Sequence, residues 1–429
     1  MFTCTHCDGQ QLKWAGRCGE CGSWGTLVEE GEVVVKKGTK SGTKAPATIV
    51  SADTPLKSVA HVSTGIAELD RVLGGGVVPG SVILLSGEPG IGKSTLISQI
   101  MGDHAGSPVR SILISSGEES PAQIQMRLDR LGIPRTNVQM IQETTVESIA
   151  TAVEGGYAGP PVHSMVIVDS IQTASTLEVE GLPGSPSQVR ASAAKLVELA
   201  KRTNTPIIIV GQVTKDGSVA GPKMLEHLVD VVLSLEGDAS HAYRLLRAIK
   251  NRFGSTNEVG IFEMTGDGLQ NVEDPSKRFL SERLAGPGSV VTCVMEGNRP
   301  LLVEVQALVD KTSFGYPVRR AVGFDLNRLQ LLIAIANRHG NVGLDQSDVY
   351  VNVVGGIELT EPAADLAVIA AIISAKKNTA FADAVVMGEV GLSGEVRSVP
   401  FMDRRVREAE RFGMKKVVSP KEIKHVKDL

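Results

Sequence analysis

Nine consecutive residues, Gly87-Glu88-Pro89-Gly90-Ile91-Gly92-Lys93-Ser94-Thr95, have the types and spacing to hold a nucleoside triphosphate. Glycines let backbone N–H groups turn inward around phosphate oxygens with no Cβ in the way. Lys93 can reach the β- and γ-phosphates, and the Ser94 hydroxyl can hold magnesium. The expected ligands are ATP or ADP with Mg2+. Three further positions could complete a hydrolytic site. Asp169 ends the apolar run Met165-Val166-Ile167-Val168 and could order magnesium and its waters beside Ser94. Glu118 and Glu119 follow another apolar run; either could orient or deprotonate the attacking water, with Glu118 the first choice and Glu119 the second. The pair also reads as an acidic helix start before Ser120-Pro121. Gln212 closes a third apolar run, where its amide could sense the γ-phosphate.

A second chemistry sits at the other end of the chain's beginning. Cys4, Cys7, Cys18 and Cys21 form two CxxC pairs separated by ten residues. Each pair can clasp one side of a tetrahedral zinc ion. So short a segment has little apolar surface, and metal binding would supply its folding free energy, on the order of 10 kcal/mol. His6 reads as a bystander. Trp14 and Trp24 are expected to cover the metal, with base stacking the other option. Four cysteines in the first 21 residues, and the fifth at Cys293, do not make a disulfide framework. A buried apolar thiol is expected at Cys293.

These residues need elements to position them. The phosphate-holding stretch lies between an apolar run, 82–86, and a helix-like segment, 93–105. Further strands are predicted at 111–116, 164–169, 206–211, 229–235, 243–250 and 258–264, with helices at 120–131, 145–154 and 187–203. Alternating strands and helices predict an α/β fold: a mostly parallel sheet with helices on both faces and the nucleotide at the carboxyl ends of the strands. Two glycine-containing loops, 178–187 and 214–223, are long for passive connectors. Residues 29–57 read as a flexible linker.

Composition bounds the rest. At 429 residues, two large domains and a small module are expected. A net charge of −4 excludes a generic basic coat for nucleic acid, so any nucleic-acid surface must be a patch or channel. Aromatic residues at 3% argue against recognition dominated by base stacking. No apolar run matches a membrane span and the start lacks a signal-peptide pattern, so a cytoplasmic protein without a membrane partner is the expectation.

The segment Lys250-Asn251-Arg252-Phe253-Gly254, taken with the nucleotide and cysteine motifs, resembles the RadA (Sms) recombination proteins of bacteria. The likeness covers nearly the whole chain. It implies a C4 zinc finger over 1–28, a RecA-like ATPase domain over 58–275, and an α+β Lon protease-like domain over 286–429. Helicases of the DnaB type carry a similar Lys-x-Arg, whose cations reach a neighbouring subunit's nucleotide. By that resemblance Lys250 and Arg252 would act in trans on the γ-phosphate. The two glycine loops would line a DNA channel, with Lys215, Lys223 and Arg252 as candidate DNA contacts. Ala363 stands where Lon proteases have their serine, and Asp403 falls near their lysine by count, so peptidase activity is not expected. Arg319-Arg320 and Arg404-Arg405-Val406-Arg407 could touch DNA or a neighbouring subunit. The implied function is a DNA-dependent ATPase: a ring, expected to be a hexamer, on single-stranded and branched DNA, promoting branch migration with the RecA recombinase. A Lon-like protease and a nucleotide switch or autokinase are the readings it stands against.

Overall fold

The computed structural model describes residues 2–4, 10–11, 13–29, 60–104, 111–155, 163–212, 222–237, 243–313, 315–355 and 357–429. The chain forms two compact units, Met1–Ser58 and Val59–Leu429. Apart from Glu29, the expected linker lies outside the described residues. In the first unit β1 (Phe2–Cys4) pairs antiparallel with β2 (Gln10–Gln11) and β3 (Leu27–Glu29).

The second unit is organised on a nine-stranded sheet, among the described residues, in the order β12-β11-β10-β9-β4-β8-β7-β5-β6. Its strands are β4 (Val82–Gly87), β5 (Ser111–Ser116), β6 (Val138–Ile141), β7 (His163–Asp169), β8 (Ile207–Gln212), β9 (Val231–Glu236), β10 (Tyr243–Asn251), β11 (Val259–Thr265) and β12 (Gly268–Asn271). Strands β4 to β9 run parallel, and β10 to β12 are antiparallel. The predicted α/β sheet is therefore mostly parallel, as expected. Its antiparallel part follows from short connections: a few residues can return a chain only beside itself and in the opposite sense.

Successive side chains of a strand point to opposite faces, and the central strand is apolar on both. Ile83 and Leu85 share a core with Leu69 of α1 (Ala67–Leu73), Leu96 and Ile97 of α2 (Lys93–His104), and Ile124 and Leu128 of α3 (Pro121–Arg130). Val82 and Leu84 face the other way, toward Ile149 and Val153 of α4 (Val146–Glu154) and Val189 and Leu196 of α5 (Pro186–Thr203). Helices thus cover both faces. Burying one such Leu or Ile contributes about 1.5–3 kcal/mol. The short α6 (Pro222–Leu225) follows β8. Strands β6 and β12 and helix α1 are short or amphipathic and were not among the predicted elements.

The remaining strands are β13 (Ser289–Glu296), β14 (Arg299–Lys311), β15 (Arg319–Val322), β16 (Ser347–Val353), β17 (Ala384–Val386), β18 (Glu389–Val390), β19 (Val396–Arg397) and β20 (Lys416–Val418). Six of them form a mixed sheet in the order β15-β16-β14-β13-β17-β20. With α7 (Pro275–Leu280), α8 (Leu326–Gly340), α9 (Asp365–Lys377) and α10 (Met402–Arg411) they make an α+β layer. Residues 365–374 of α9 are all buried, as an apolar helix without a polar face must be. The core does not stop at the layer's edge: Val259 and Ile261 of β11 pack with Phe279, Val294 and Leu301.

Candidate active site

The phosphate-holding loop leaves the carboxyl end of β4 at the centre of the sheet and enters α2 at Lys93. Gly90 and Gly92 have φ of 77° and 115°, and a Cβ at Gly92 would lie 2.6 Å from Met264 Cε. Only glycine fits that turn. The free N–H groups of the first turn of α2 then face the loop. Lys93 is buried, and its Nζ donates to the carbonyls of Gly87 (2.9 Å) and Glu88 (2.8 Å).

Parallel register brings the other candidates to the same end. Gly87 is level with Gln212, and Asp169 with Val210 and Ser116. Glu118 lies exposed just past β5, and both of its oxygens accept from Gln212 Nε2 at 3.0 Å. Ser170 Oγ also donates to it, at 2.5 Å. Glu119 is engaged elsewhere. Its carboxylate pairs with Arg127 Nη1 of α3, whose Nε donates to Ser98 of α2 at 2.8 Å. The start of α3 holds Arg127 in place: Ser120 and Gln123 form a capping box around Pro121. Lys93, Asp169, Glu118 and Gln212 therefore converge, while Glu119 belongs to a structural ion pair. Sequence reasoning missed Ser170, Arg127 and Gln172, whose Nε2 donates to the Gln212 carbonyl at 3.4 Å; no local motif marks them.

Charge and burial shape this cluster. Burial pushes the Asp169 carboxyl up to about 6, and Glu118 and Glu119 add to the rise against Arg127 and Lys93. Burial also lowers the Lys93 ammonium, against Asp169 and Glu118. A carboxyl whose folded pKa exceeds its unfolded one binds more protons in the folded state, so its ionisation costs stability as pH rises through the window from its ordinary value of 3.8 to about 6. Asp169→Asn is thus expected to stabilise the nucleotide-free protein at pH 7 by about 2–3 kcal/mol. Thermal melting checks this, and the gain should vanish below about pH 4.

Lys250 and Arg252 lie at the opposite end of the sheet. Lys250 is level with Val232 and Asn251 with Val231, which is itself level with Ile83 near the start of β4. Arg252 Nη1 pairs with Asp230 Oδ1 at 3.0 Å, and Asp230 Oδ2 accepts from the Val82 N–H at 3.1 Å. Lys250 Nζ donates to the carbonyls of Glu226 (2.5 Å) and Val229 (2.8 Å). The whole of β4, roughly 17 Å at about 3.3 Å per residue, separates this turn from its own phosphate loop. Of the DNA candidates, Lys223 is exposed on α6, and Lys215 lies outside the described residues. The first glycine loop is anchored by the buried Gln188, which bonds Thr176 through both its amide groups, and by Lys195 on Glu178 at 2.9 Å.

In the first unit the Sγ atoms of Cys4, Cys18 and Cys21 all lie within 4.8 Å of one another. Cys4 and Cys21 are 3.7 Å apart, close to the edge of about 3.8 Å that a tetrahedron with Zn–S of about 2.3 Å requires. Gly22, at φ 74°, bonds back to the Cys18 carbonyl to close the knuckle. The sulfurs fit zinc; Cys7 and His6 lie outside the described residues. Trp14 and Trp24 do not cover the metal. They are 63% and 75% exposed, and Arg17 stacks over Trp24. A two-to-three-residue strand sheet has no interior to receive an indole.

Comparison with known proteins matches this geometry. Residues 62–275 match the KaiC ATPase family, 2–29 the rubredoxin metal-binding domain, and 335–429 the C-terminal proteolytic domain of Lon (S16) proteases. The DNA repair protein RadA of Bacillus subtilis is 46% identical, over 98% of this chain and 92% of its own length. The RadA proteins of Pseudomonas aeruginosa and Aquifex aeolicus are each 45% identical over 98% of this chain. The chain belongs to the RadA family. A crystal structure of the RadB recombinase aligns with 49% of the chain at 19% identity and a TM-score of 0.38, too weak a likeness to argue from. The cofactors of this RadA-family chain are ATP with Mg2+, and zinc. Ser94 and Asp169 are the side chains that would hold magnesium, whose charge neutralises phosphate oxygens. No helix among the described residues is long and apolar enough to cross a membrane.

In the Lon-like part of this RadA-family chain the two positions compared with the Lon proteases differ in burial. Ala363 is fully buried in the turn before α9. Asp403 does not face it, being exposed on α10. Helical spacing turns Arg405 inward instead, fully buried, with its guanidinium forked onto Glu361 and donating to the Cys293 carbonyl at 2.6 Å. Arg405 and Ala409, not Asp403, are the residues that α10 buries. The arginine clusters are also less available than their sequence suggests. Arg405 is internal, and Arg319 donates to the carbonyls of Val318, Leu344 and Ser347. Arg320, Arg404 and Arg407 are exposed. Cys293 is a buried thiol pushed up to about 12 by burial, as expected.

Proposed function

We propose that this protein is a DNA repair ATPase that forms a ring on single-stranded DNA and uses ATP hydrolysis to drive branch migration with the RecA recombinase. The observation that carries this reading is the separation of two half-sites. Lys93, Ser94, Asp169, Glu118 and Gln212 stand at one end of the sheet, and Lys250 and Arg252 at the other. A chain built so can place its cations on a γ-phosphate only in a neighbouring subunit, and a repeated head-to-tail contact makes a ring where its rotation closes. A hexamer is the expected ring, working in the cytoplasm.

Each residue then has a role. The loop 87–95 binds the phosphates, with Lys93 on the β- and γ-oxygens. Glu118, already oriented by Ser170 and Gln212, takes the proton of the attacking water. Gln212 exchanges its hydrogen bonds between Glu118 and the γ-phosphate. Gln172 carries that change to the first glycine loop, which with Lys215, Lys223 and the following segment contacts DNA phosphates. Along the sequence, the zinc module at 1–28 precedes the ATPase domain at 58–275 and the Lon-like domain at 286–429 follows it. The Lon-like domain serves as a scaffold without peptidase activity, because an alanine supplies no nucleophile and the buried Arg405 guanidinium is committed to Glu361. Steady-state ATPase assays with and without single-stranded DNA test the reading. Turnover should rise on adding DNA; zinc-loaded, folded protein indifferent to DNA would count against it.

A further inference from the structure

The turn between β13 and β14, Glu296–Arg299, belongs to the Lon-like layer but is built into the ATPase sheet. Arg299 Nη1 reaches Glu68 Oε2 at 2.6 Å, and its Nη2 donates to the carbonyls of Val272 (3.1 Å) and Glu273 (3.0 Å). Glu68, buried on α1, also accepts from the Ile261 N–H at 2.9 Å. The Asn298 N–H donates to the Asn257 carbonyl at 2.6 Å, and its side chain to Glu258 at 3.0 Å. Glu296 pairs with Arg247, on the same strand as Lys250. A Cβ on Gly297 would lie 2.1 Å from the Asn257 oxygen, so the two turns are in backbone contact.

What these contacts hold is the Lys250–Gly254 turn. Asn257 and Glu258 close the β10–β11 connection that carries Arg252. Helix α1, pinned at Glu68, supports the same turn from its other end: Asn251 Nδ2 donates to the carbonyls of Val72 and Leu73 at 3.3 Å, and Gly254 lies against Gly74. The hydrogen bonds that reach this connection from outside the ATPase domain come, among the described residues, from Asn298. We infer that this Lon-like turn is a strut that sets the position of Lys250 and Arg252, with Arg299 and Asn298 as positioning residues for hydrolysis in the neighbouring subunit. The inference rests on the trans-acting reading above. It gives the Lon-like layer a part in ATP turnover that needs no peptidase chemistry.

The test uses full-length protein. Arg299→Gln should lower kcat by about 100-fold, the effect of displacing a reacting group by about 1 Å, with KM for ATP unchanged because each subunit's own loop binds the nucleotide. Gly297→Ala, which leaves the Glu68 pair in place but cannot fit against Asn257, should lower kcat by a similar factor and melt below wild type. The deciding measurement is mixed rings of Arg299→Gln and Lys93→Ala subunits, with Arg252→Ala and Lys93→Ala as the control. About a quarter of interfaces then join an intact loop to an intact turn, and both mixtures should regain activity that neither component has. Recovery in the control alone, or wild-type turnover in both strut variants, overturns the strut. Failure of the control overturns the trans-acting reading itself, and the strut with it.

Discussion

Arg252→Ala should lower kcat for ATP hydrolysis by about 10³–10⁵, the contribution of an arginine finger, and leave KM for ATP within a few-fold. The split follows from where Arg252 sits. It is half-exposed and tied to Asp230 at the amino end of β4, so it takes no part in binding the nucleotide held at the carboxyl end of the same subunit. Its loss removes charge stabilisation in the transition state and little else. Stability should change modestly, because Asp230 keeps its bond from the Val82 N–H. Steady-state kinetics with a parallel melting curve checks both halves. A rise in KM with kcat intact would place Arg252 in nucleotide or DNA binding instead.

Glu118→Gln should be the second large effect, a fall of about 10²–10⁴ in turnover, the usual contribution of a positioned general base, with ATP binding preserved. The glutamine keeps the shape that meets Ser170 and Gln212 but cannot take a proton. Glu119→Gln should behave differently. Its partner is Arg127, which bridges to Ser98, so this change strips an ion pair that braces α3 on α2 and should appear first as a lower melting temperature. Single-turnover hydrolysis of pre-bound ATP separates the two variants. Equal loss in both would mean the acidic pair acts together.

How much of this was legible in the residues alone varies with the kind of signal. The loop 87–95, Asp169 and Gln212 could be found because each ends an apolar run that must be a buried strand, and the carboxyl end of such a strand is where a parallel sheet binds ligands. Glu118 could be ranked above Glu119, but the reason Glu119 is engaged elsewhere could not be read, since it depends on Arg127 arriving from a different helix. The inward turn of Arg405 was hidden for a related reason. Counting along a motif carries no information on which side of a helix faces inward, whereas the buried Arg405 does. The tryptophans failed because a knuckle of this size cannot bury them, which composition does not reveal. The strut at Glu296–Arg299 lies about 230 residues from its partner Glu68, and nothing local announces a contact over that separation.

The central claim is that each ATP site is completed by the next subunit. Mixing Lys93→Ala with Arg252→Ala in equal amounts, assembling rings on single-stranded DNA and measuring ATP turnover tests it most directly. Each variant alone should be nearly inactive. The mixture should recover about one quarter of wild-type activity, the share of interfaces that pair an intact phosphate loop with an intact Arg252. A mixture no more active than its two components would contradict the account.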